Sequence, residues 1–158
     1  MIPALLITFF EWLGTTPWAQ AMIAAQWVFP VVMSFHFIGF AVLLGTIGIV
    51  DLRLLGVGLR RMTAAELAEA LDPWTRLGMA VMLITGFLMF STEAVGYHFN
   101  PSFQFKMICL TAALIFHFTL RRLVVRPGVP AVAAKLAAIF SLGIWSAVLF
   151  GGRFVAFV

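Results

Sequence analysis

From Trp12 to Val50 no residue carries a formal charge. At about 1.5 Å of rise per residue, a helix of that length far exceeds the roughly 20 residues that a bilayer core requires, so the run has to hold more than one element. Gly14 supplies a stop, Thr15 and Thr16 an N-cap, and Pro17 a residue suited to the first helical position. This punctuation predicts a short helix over 3–13 and a spanning helix over 17–50. Leu6, Phe9, Phe10 and Leu13 share one face of the short helix. Its other side carries little charge beyond Glu11, which places it at the membrane interface rather than across the membrane.

The rest of the chain agrees. Of its 158 residues, 63% are hydrophobic and 10% charged, with a mean hydropathy of +1.10, against roughly 45–50% apolar content in soluble domains. A soluble globular protein is excluded. The net charge of +4 comes from charge clusters between apolar stretches, so it reads as membrane topology and not as a nucleic-acid surface. The single cysteine, Cys109, has no CxxC or CxxCH around it, which excludes an intrachain disulfide, an iron–sulfur site and a covalently attached haem. The N-terminus lacks the basic n-region and cleavage site of a signal peptide, and the whole chain is read as mature protein.

Asp72-Pro73, Asn100-Pro101 and Val129-Pro130 each place a proline where a helix can begin without losing an internal bond. With the first span they predict spanning helices over 17–50, 73–95, 101–124 and 130–155. Thr63-Ala64-Ala65-Glu66 predicts a short capped helix in the first loop. The expected fold class is therefore all-α, an integral membrane four-helix bundle with a short N-terminal interfacial helix, forming one domain over 1–158. Arg53, Arg60, Arg61 and Arg76 mark the first loop, and Arg121, Arg122, Arg126 and Lys135 the third; the second has no basic residue before Lys106. By the positive-inside rule both termini face outward. In a bacterium this is the periplasmic side of the inner (cytoplasmic) membrane.

Ionisable groups at membrane depth are costly, and hence functional candidates. With Asp51, Arg76, Arg121 and Lys135 as markers of the inner boundary, His36 and Lys106 each lie fifteen residues above it, roughly 22 Å. These two share a level. Glu93 and Arg153 lie slightly further out, at about 26 Å, and His98 falls in the outer loop. An outer-leaflet site can thus draw a polar group from every helix. His117 lies four residues from Arg121, roughly 16 Å below His36, too far for one haem to be clamped easily between the two histidines. Pro30 is expected to bend the first helix above His36.

Lys106 and His117 are eleven residues apart, close to three turns, so they occupy one side of their helix. They either line a cofactor slot or proton route, or snorkel to opposite interfaces. His36, near mid-helix, reaches neither interface easily and reads as ligand, hydrogen-bond partner or proton carrier. Gly39 beside it, and Gly78 and Gly86 on the second span, either make room for a flat ring or let helices pack closely. Asp51 and Arg53 read as a structural anchor at the inner rim. Glu93 is expected to pair with Lys106 or Arg153. No nucleophile with an adjacent base and no phosphate-binding glycine loop is present, which argues against hydrolase and nucleotide chemistry.

The stretch His36-Phe37-Ile38-Gly39 through Asp51-Leu52-Arg53-Leu54, followed by Phe105-Lys106 and then His117, resembles the HemJ-type membrane protoporphyrinogen oxidases. The pattern is also similar to the copper-resistance D (CopD-like) membrane proteins and to bacterial four-helix membrane proteins with a DLRLLG signature. The HemJ-type resemblance implies a b-type haem held by the first histidine and the lysine, here His36 and Lys106. Three histidines in all exclude a two-haem cytochrome with four histidine ligands.

The expected function is a non-covalent haem b protein that moves electrons between an outer-side donor and a quinone or redox partner. His36 is the iron ligand. Lys106 is either the second axial ligand or a cation that holds a haem propionate beside Arg153 and His98, and His117 serves an inner proton or quinone site. Oxidation of protoporphyrinogen is the enzymatic version. One alternative is copper or other transition-metal handling through His36, His98 and Glu93; another is a non-catalytic subunit of a larger assembly. Expected partners are the lipid bilayer, a quinone or redox protein and further copies of the chain, with no nucleic acid.

Overall fold

A computed structural model describes residues 4–58 and 61–155. In chain order the helices are α1 (Ala4–Gly14), α2 (Pro17–Ala24), α3 (Val28–Leu54), α4 (Ala64–Thr92), α5 (Ala94–Phe99), α6 (Pro101–Phe118), α7 (Leu120–Val124) and α8 (Ala131–Phe154), with no strand among the described residues. Four stretches are long and apolar enough to cross a membrane: Val28–Leu54, Ala64–Thr92, Pro101–Val124 and Ala131–Phe154. Phe37, Ile84, Ile108, Ile115, Leu136 and Ile139 point outward and are more than half exposed. An apolar surface this extensive is stable only against lipid, so the fold is an all-α membrane bundle. Pro3, where the first helix was expected to start, and Arg60 of the first loop lie outside the described residues.

Two expected boundaries move, both at prolines. The helix expected over 17–50 divides into α2 and α3, with Ala25 extended between them (φ −98°, ψ 110°). In one continuous helix the Pro30 ring would meet the carbonyl four residues back. Restarting at Val28 puts Pro30 in the first turn of α3, where no donor is needed, so the chain breaks where a bend was expected. Pro73, in contrast, starts nothing. The capping box of Thr63 and Glu66 begins α4 at Ala64, and Pro73 lies inside that helix. The carbonyl it deprives belongs to Glu69, which is exposed, beside an Asp72–Arg76 ion pair that is itself largely exposed, so water replaces the lost bond.

α3 packs along α4, α6 along α8, and α3 against α8 joins the two pairs. α4 and α6 make no extended contact among the described residues. The α3–α4 contact is close because both helices present glycine there. A Cβ on Gly78 would lie 2.8 Å from the Gly39 carbonyl oxygen and 2.8 Å from the Leu43 nitrogen, and one on Gly39 would lie 3.0 Å from the Met82 nitrogen. These two glycines serve helix packing. The core between the pairs is Phe40, Leu43, Ile47, Met79, Met82, Leu110, Ala113, Trp145 and Val148.

The Asp51-Leu52-Arg53-Leu54-Leu55-Gly56 segment ends α3 with a Schellman cap. Val57 N–H donates to the Leu52 carbonyl at 2.9 Å and Gly56 N–H to that of Arg53 at 3.0 Å, which requires the positive φ of 88° at Gly56. Arg53 then donates through Nε to the Met62 carbonyl at 2.6 Å, closing the loop. At the other end of the bundle α1 packs on α4 and α5. Phe10 meets Phe90 edge-on at 5.5 Å, and Phe90 stacks on Phe103 at 5.3 Å. Asn100 caps α6 by accepting from Phe103 N–H at 3.0 Å.

Candidate functional site

His36 sits on the third turn of α3, half-buried, and faces α4. Its Nδ1 lies 3.0 Å from Thr85 Oγ1. The Thr85 hydroxyl also lies 2.6 Å from the Val81 carbonyl four residues back. A hydroxyl has one proton to give: with that proton on Val81, His36 Nδ1–H is the donor to Thr85, and with it on Nδ1, the ring proton is on Nε2. In the first tautomer Nε2 carries the lone pair; the Met82 backbone also bonds the ring. Gly86, the next residue of α4, lies flat against the ring, since a Cβ there would be 3.1 Å from His36 Cε1.

Lys106 enters from α6, half-buried. Its charge acts on the His36 ring, so the two residues predicted to share a level are within electrostatic reach of one another. The Lys106 side chain lies along α8, where Cβ atoms on Gly151 and Gly152 would come within 3.2 Å of its Cβ and 3.5 Å of its Nζ. Among the described residues Lys106 has neither a hydrogen-bond nor an ion-pair partner. The expected pair with Glu93 does not form, because Glu93 ends α4, is exposed and folds back over Gly96, whose Cβ would lie 3.0 Å from the Glu93 carboxylate.

The other predicted residues are placed elsewhere. His98 belongs to α5 and packs on Phe10 at 5.2 Å and Phe99 at 5.3 Å, part of the aromatic cap beneath α1. In the same cap, burial and the nearby Glu93 push the Tyr97 phenol above its ordinary value. Arg153 is exposed at the outer end of α8. No group of three or more His, Cys, Asp or Glu gathers among the described residues. His36, His98 and Glu93 therefore do not form the cluster that the copper alternative required. His117 is in the inner half, where Arg121, Arg122 and Asp72 act on it, and its Nδ1 is buried with no partner.

The largest departure from expectation concerns Asp51 and Arg121. The sequence reading placed Asp51 with Arg53 at the inner rim and Arg121 in the third loop; the structure buries both. Asp51 is 0% exposed and Arg121 6%. Thr119 breaks α6 (φ −110°, ψ −85°), and α7 turns Arg121 inward. There its NH1 donates to Asp51 Oδ1 at 2.7 Å and to Ser141 Oγ at 3.2 Å, and its NH2 to the Ile47 carbonyl at 3.1 Å. Desolvating two charges is repaid only when their remaining valences are met, and Arg121 meets three acceptors on two helices. One turn along α3, Thr75 Oγ1 donates to Thr46 Oγ1 at 2.9 Å. Thr85, Ser141 and this pairing were missed in sequence. The signal for the ion pair was present, since Asp51 and Arg121 had been set at one depth with opposite charges.

The bundle therefore has two polar stations, His36–Thr85–Lys106 in the half expected to be outer and Asp51–Arg121–Ser141 in the half expected to be inner. The apolar layer of Leu43, Ile47, Trp145 and Val148 lies between them.

The model of a family of unknown function, DUF6644, matches residues 9–158, and the chain belongs to that family. The match includes all four long helices and both polar stations. No curated protein and no solved structure matches the chain.

Proposed function

We propose that this protein holds a b-type haem non-covalently in the outer half of the bundle, where His36 would hold the iron, and carries electrons between an outer-side donor and a membrane quinone or partner redox protein. The observation that carries this reading is the His36 ring held against α4 by Thr85, 3.0 Å from Nδ1; in the tautomer with its proton on Nδ1, Nε2 has the lone pair that would bind the iron. A histidine that binds a metal through one nitrogen is normally oriented by a hydrogen bond from the other. The donor chemistry fits the group: a neutral imidazole nitrogen, a lysine with no partner, and glycines against both side chains.

When bound, the haem supplies a one-electron couple at its iron. Thr85 holds the His36 ring in one orientation. Lys106 either ligates as a neutral amine or, as an ammonium, holds a propionate; its lack of a protein partner suits both roles. Phe37 and the other outward side chains face lipid, while the Phe10–Phe90–Phe103 cap keeps water from the outer end of α4 and α6. Because α4 and α6 make no extended contact, a flat ligand dissolved in the bilayer can approach from that side. The basic residues left at the loops between the first and second and between the third and fourth spans, Arg53, Arg61, Arg76, Arg122, Arg126 and Lys135, support by the positive-inside rule an orientation with both termini outward, the periplasmic side of a bacterial inner membrane.

Haem titration of the purified protein in mild detergent tests the proposal. A saturable Soret band at one haem per chain is expected, with sharp α and β bands on reduction. Lys106→Met then separates the roles of the lysine, shifting the oxidised spectrum if Lys106 ligates and weakening affinity without a spectral shift if it binds a propionate. A protein that takes up no haem would end the reading.

A further inference from the structure

Hydroxyls within the spans are satisfied by their own helix. Ser34, Thr111 and Thr119 each donate to the carbonyl four residues back, at 2.8, 2.8 and 2.6 Å. Ser102 has no such carbonyl. It is the second residue of α6, and Asn100 before that helix is extended (φ −77°, ψ 116°), so no helical turn lies behind it; the His98 carbonyl accepts from Gln104 Nε2 at 2.7 Å instead. The Ser102 hydroxyl has no hydrogen bond to a described residue. It lines a groove of about 320 Å³ between α6 and α8, together with Pro101, Phe105, Phe150, Gly151 and Phe154. The three phenyl rings are each more than half exposed. Gly151 is buried and gives the groove a floor of bare backbone: a Cβ there would lie 3.2 Å from Phe105 Cδ1 and 3.2 Å from Lys106 Cβ. Phe105 turns to the groove. Lys106, about 100° further round α6, runs along Gly152, so the groove and the His36–Lys106 station lie on two sides of one helix crossing.

We propose that this groove binds a quinone dissolved in the bilayer, with one ring carbonyl accepting from Ser102 Oγ–H and the ring set among Phe105, Phe150 and Phe154. The groove opens on the lipid-facing side of α6 and α8, so its occupant is lipid-soluble. Its volume is at the lower end of small-molecule sites, roughly 300–1,000 Å³, which suits one substituted six-membered ring. Phenyl walls favour a flat partner through offset stacking. The polar contact is a hydroxyl with a proton to give, which a carbonyl can take. None of the described lining residues is charged, so the groove offers nothing to the phosphate of a phospholipid. The quinone's part in electron transfer rests on the haem reading above, whereas its binding does not.

The purified chain, in phosphatidylcholine nanodiscs and without haem, is titrated with a benzoquinone that carries a single isoprenoid unit and isotopically labelled carbonyls. Infrared difference spectra are expected to show saturable binding at one quinone per chain, with one of the two carbonyl stretches at lower frequency than in protein-free nanodiscs. Ser102→Ala is expected to return that band to its position in lipid and to weaken binding about threefold to tenfold, the weight of one hydrogen bond. Ser102→Thr restores the hydroxyl and is expected to keep both the shift and the affinity. A carbonyl band that never leaves its position in lipid would overturn the proposal, as would a shift indifferent to Ser102→Ala. So would a phospholipid that stays on the chain, by native mass spectrometry, at quinone concentrations that leave no shifted band. With no haem present these outcomes are separate from those of the haem titration, and the chain can fail either test and pass the other.

Discussion

His36 and Thr85 meet at 3.0 Å across α3 and α4, forty-nine positions apart in sequence. The contact orients the imidazole, and with the Thr85 proton on Val81 it leaves Nε2 as the ring's acceptor. Thr85→Val keeps the shape and removes the oxygen. Haem affinity is expected to fall roughly tenfold to a hundredfold, the usual cost of losing such an orienting partner, with the fold unchanged; titration against the purified variant measures it. Affinity equal to wild type would separate Thr85 from the site.

The approach of α3 and α4 at Gly39 and Gly78 fixes the height at which Thr85 faces His36. Any side chain at 78 meets backbone atoms at 2.8 Å, which cannot give way as a flexible side chain would. Gly78→Val is expected to destabilise the bundle by about 1–3 kcal/mol, read as a lowered Tm in detergent. Gly45→Ala on α3, with nothing within 4 Å of its Cβ, does not lower Tm.

The inner ion pair predicts a non-additive cycle. Asp51→Leu alone strands the Arg121 guanidinium and Arg121→Met alone strands the Asp51 carboxylate, each costing about 3–5 kcal/mol. The double variant strands neither. Thermal unfolding in detergent should therefore find the double variant more stable than either single one; additive losses would mean the two groups are not paired.

Orientation in the membrane is checked with the one cysteine removed. In a Cys109→Ser background, Arg126→Cys is expected to react with an impermeant thiol reagent only when the inner face is accessible, and Gln20→Cys only from outside. The reverse labelling would invert the assignment of both stations.

How far the sequence could be read depended on the kind of interaction. Apolar run length and proline punctuation depend on local geometry, so the four spanning helices and the starts of α6 and α8 were legible. Pro30 and Pro73 were misread because a proline marks a break only where its missing bond has no substitute. For Pro73 water supplies one at an exposed rim. Depth counting brought His36 and Lys106 together, because helix rise converts sequence separation into height. It could not give rotation about the helix axis, and so missed Thr85, sent Asp51 to the rim and left Arg121 in a loop that Thr119 had turned inward. His98 and Glu93 failed as partners of His36 because α4 ends at Glu93, whose carboxylate folds over Gly96, and α5 carries His98 onto Phe10 of α1, a turn that no periodicity announces.

The most direct measurement is the absorbance spectrum of purified wild-type protein, oxidised and then dithionite-reduced, beside those of His36→Ala and His117→Ala. A Soret band with sharp reduced α and β bands, lost in His36→Ala and retained in His117→Ala, is the predicted result. A colourless wild type that stays colourless after incubation with haem, or a chromophore indifferent to His36, would contradict the assignment of the outer station.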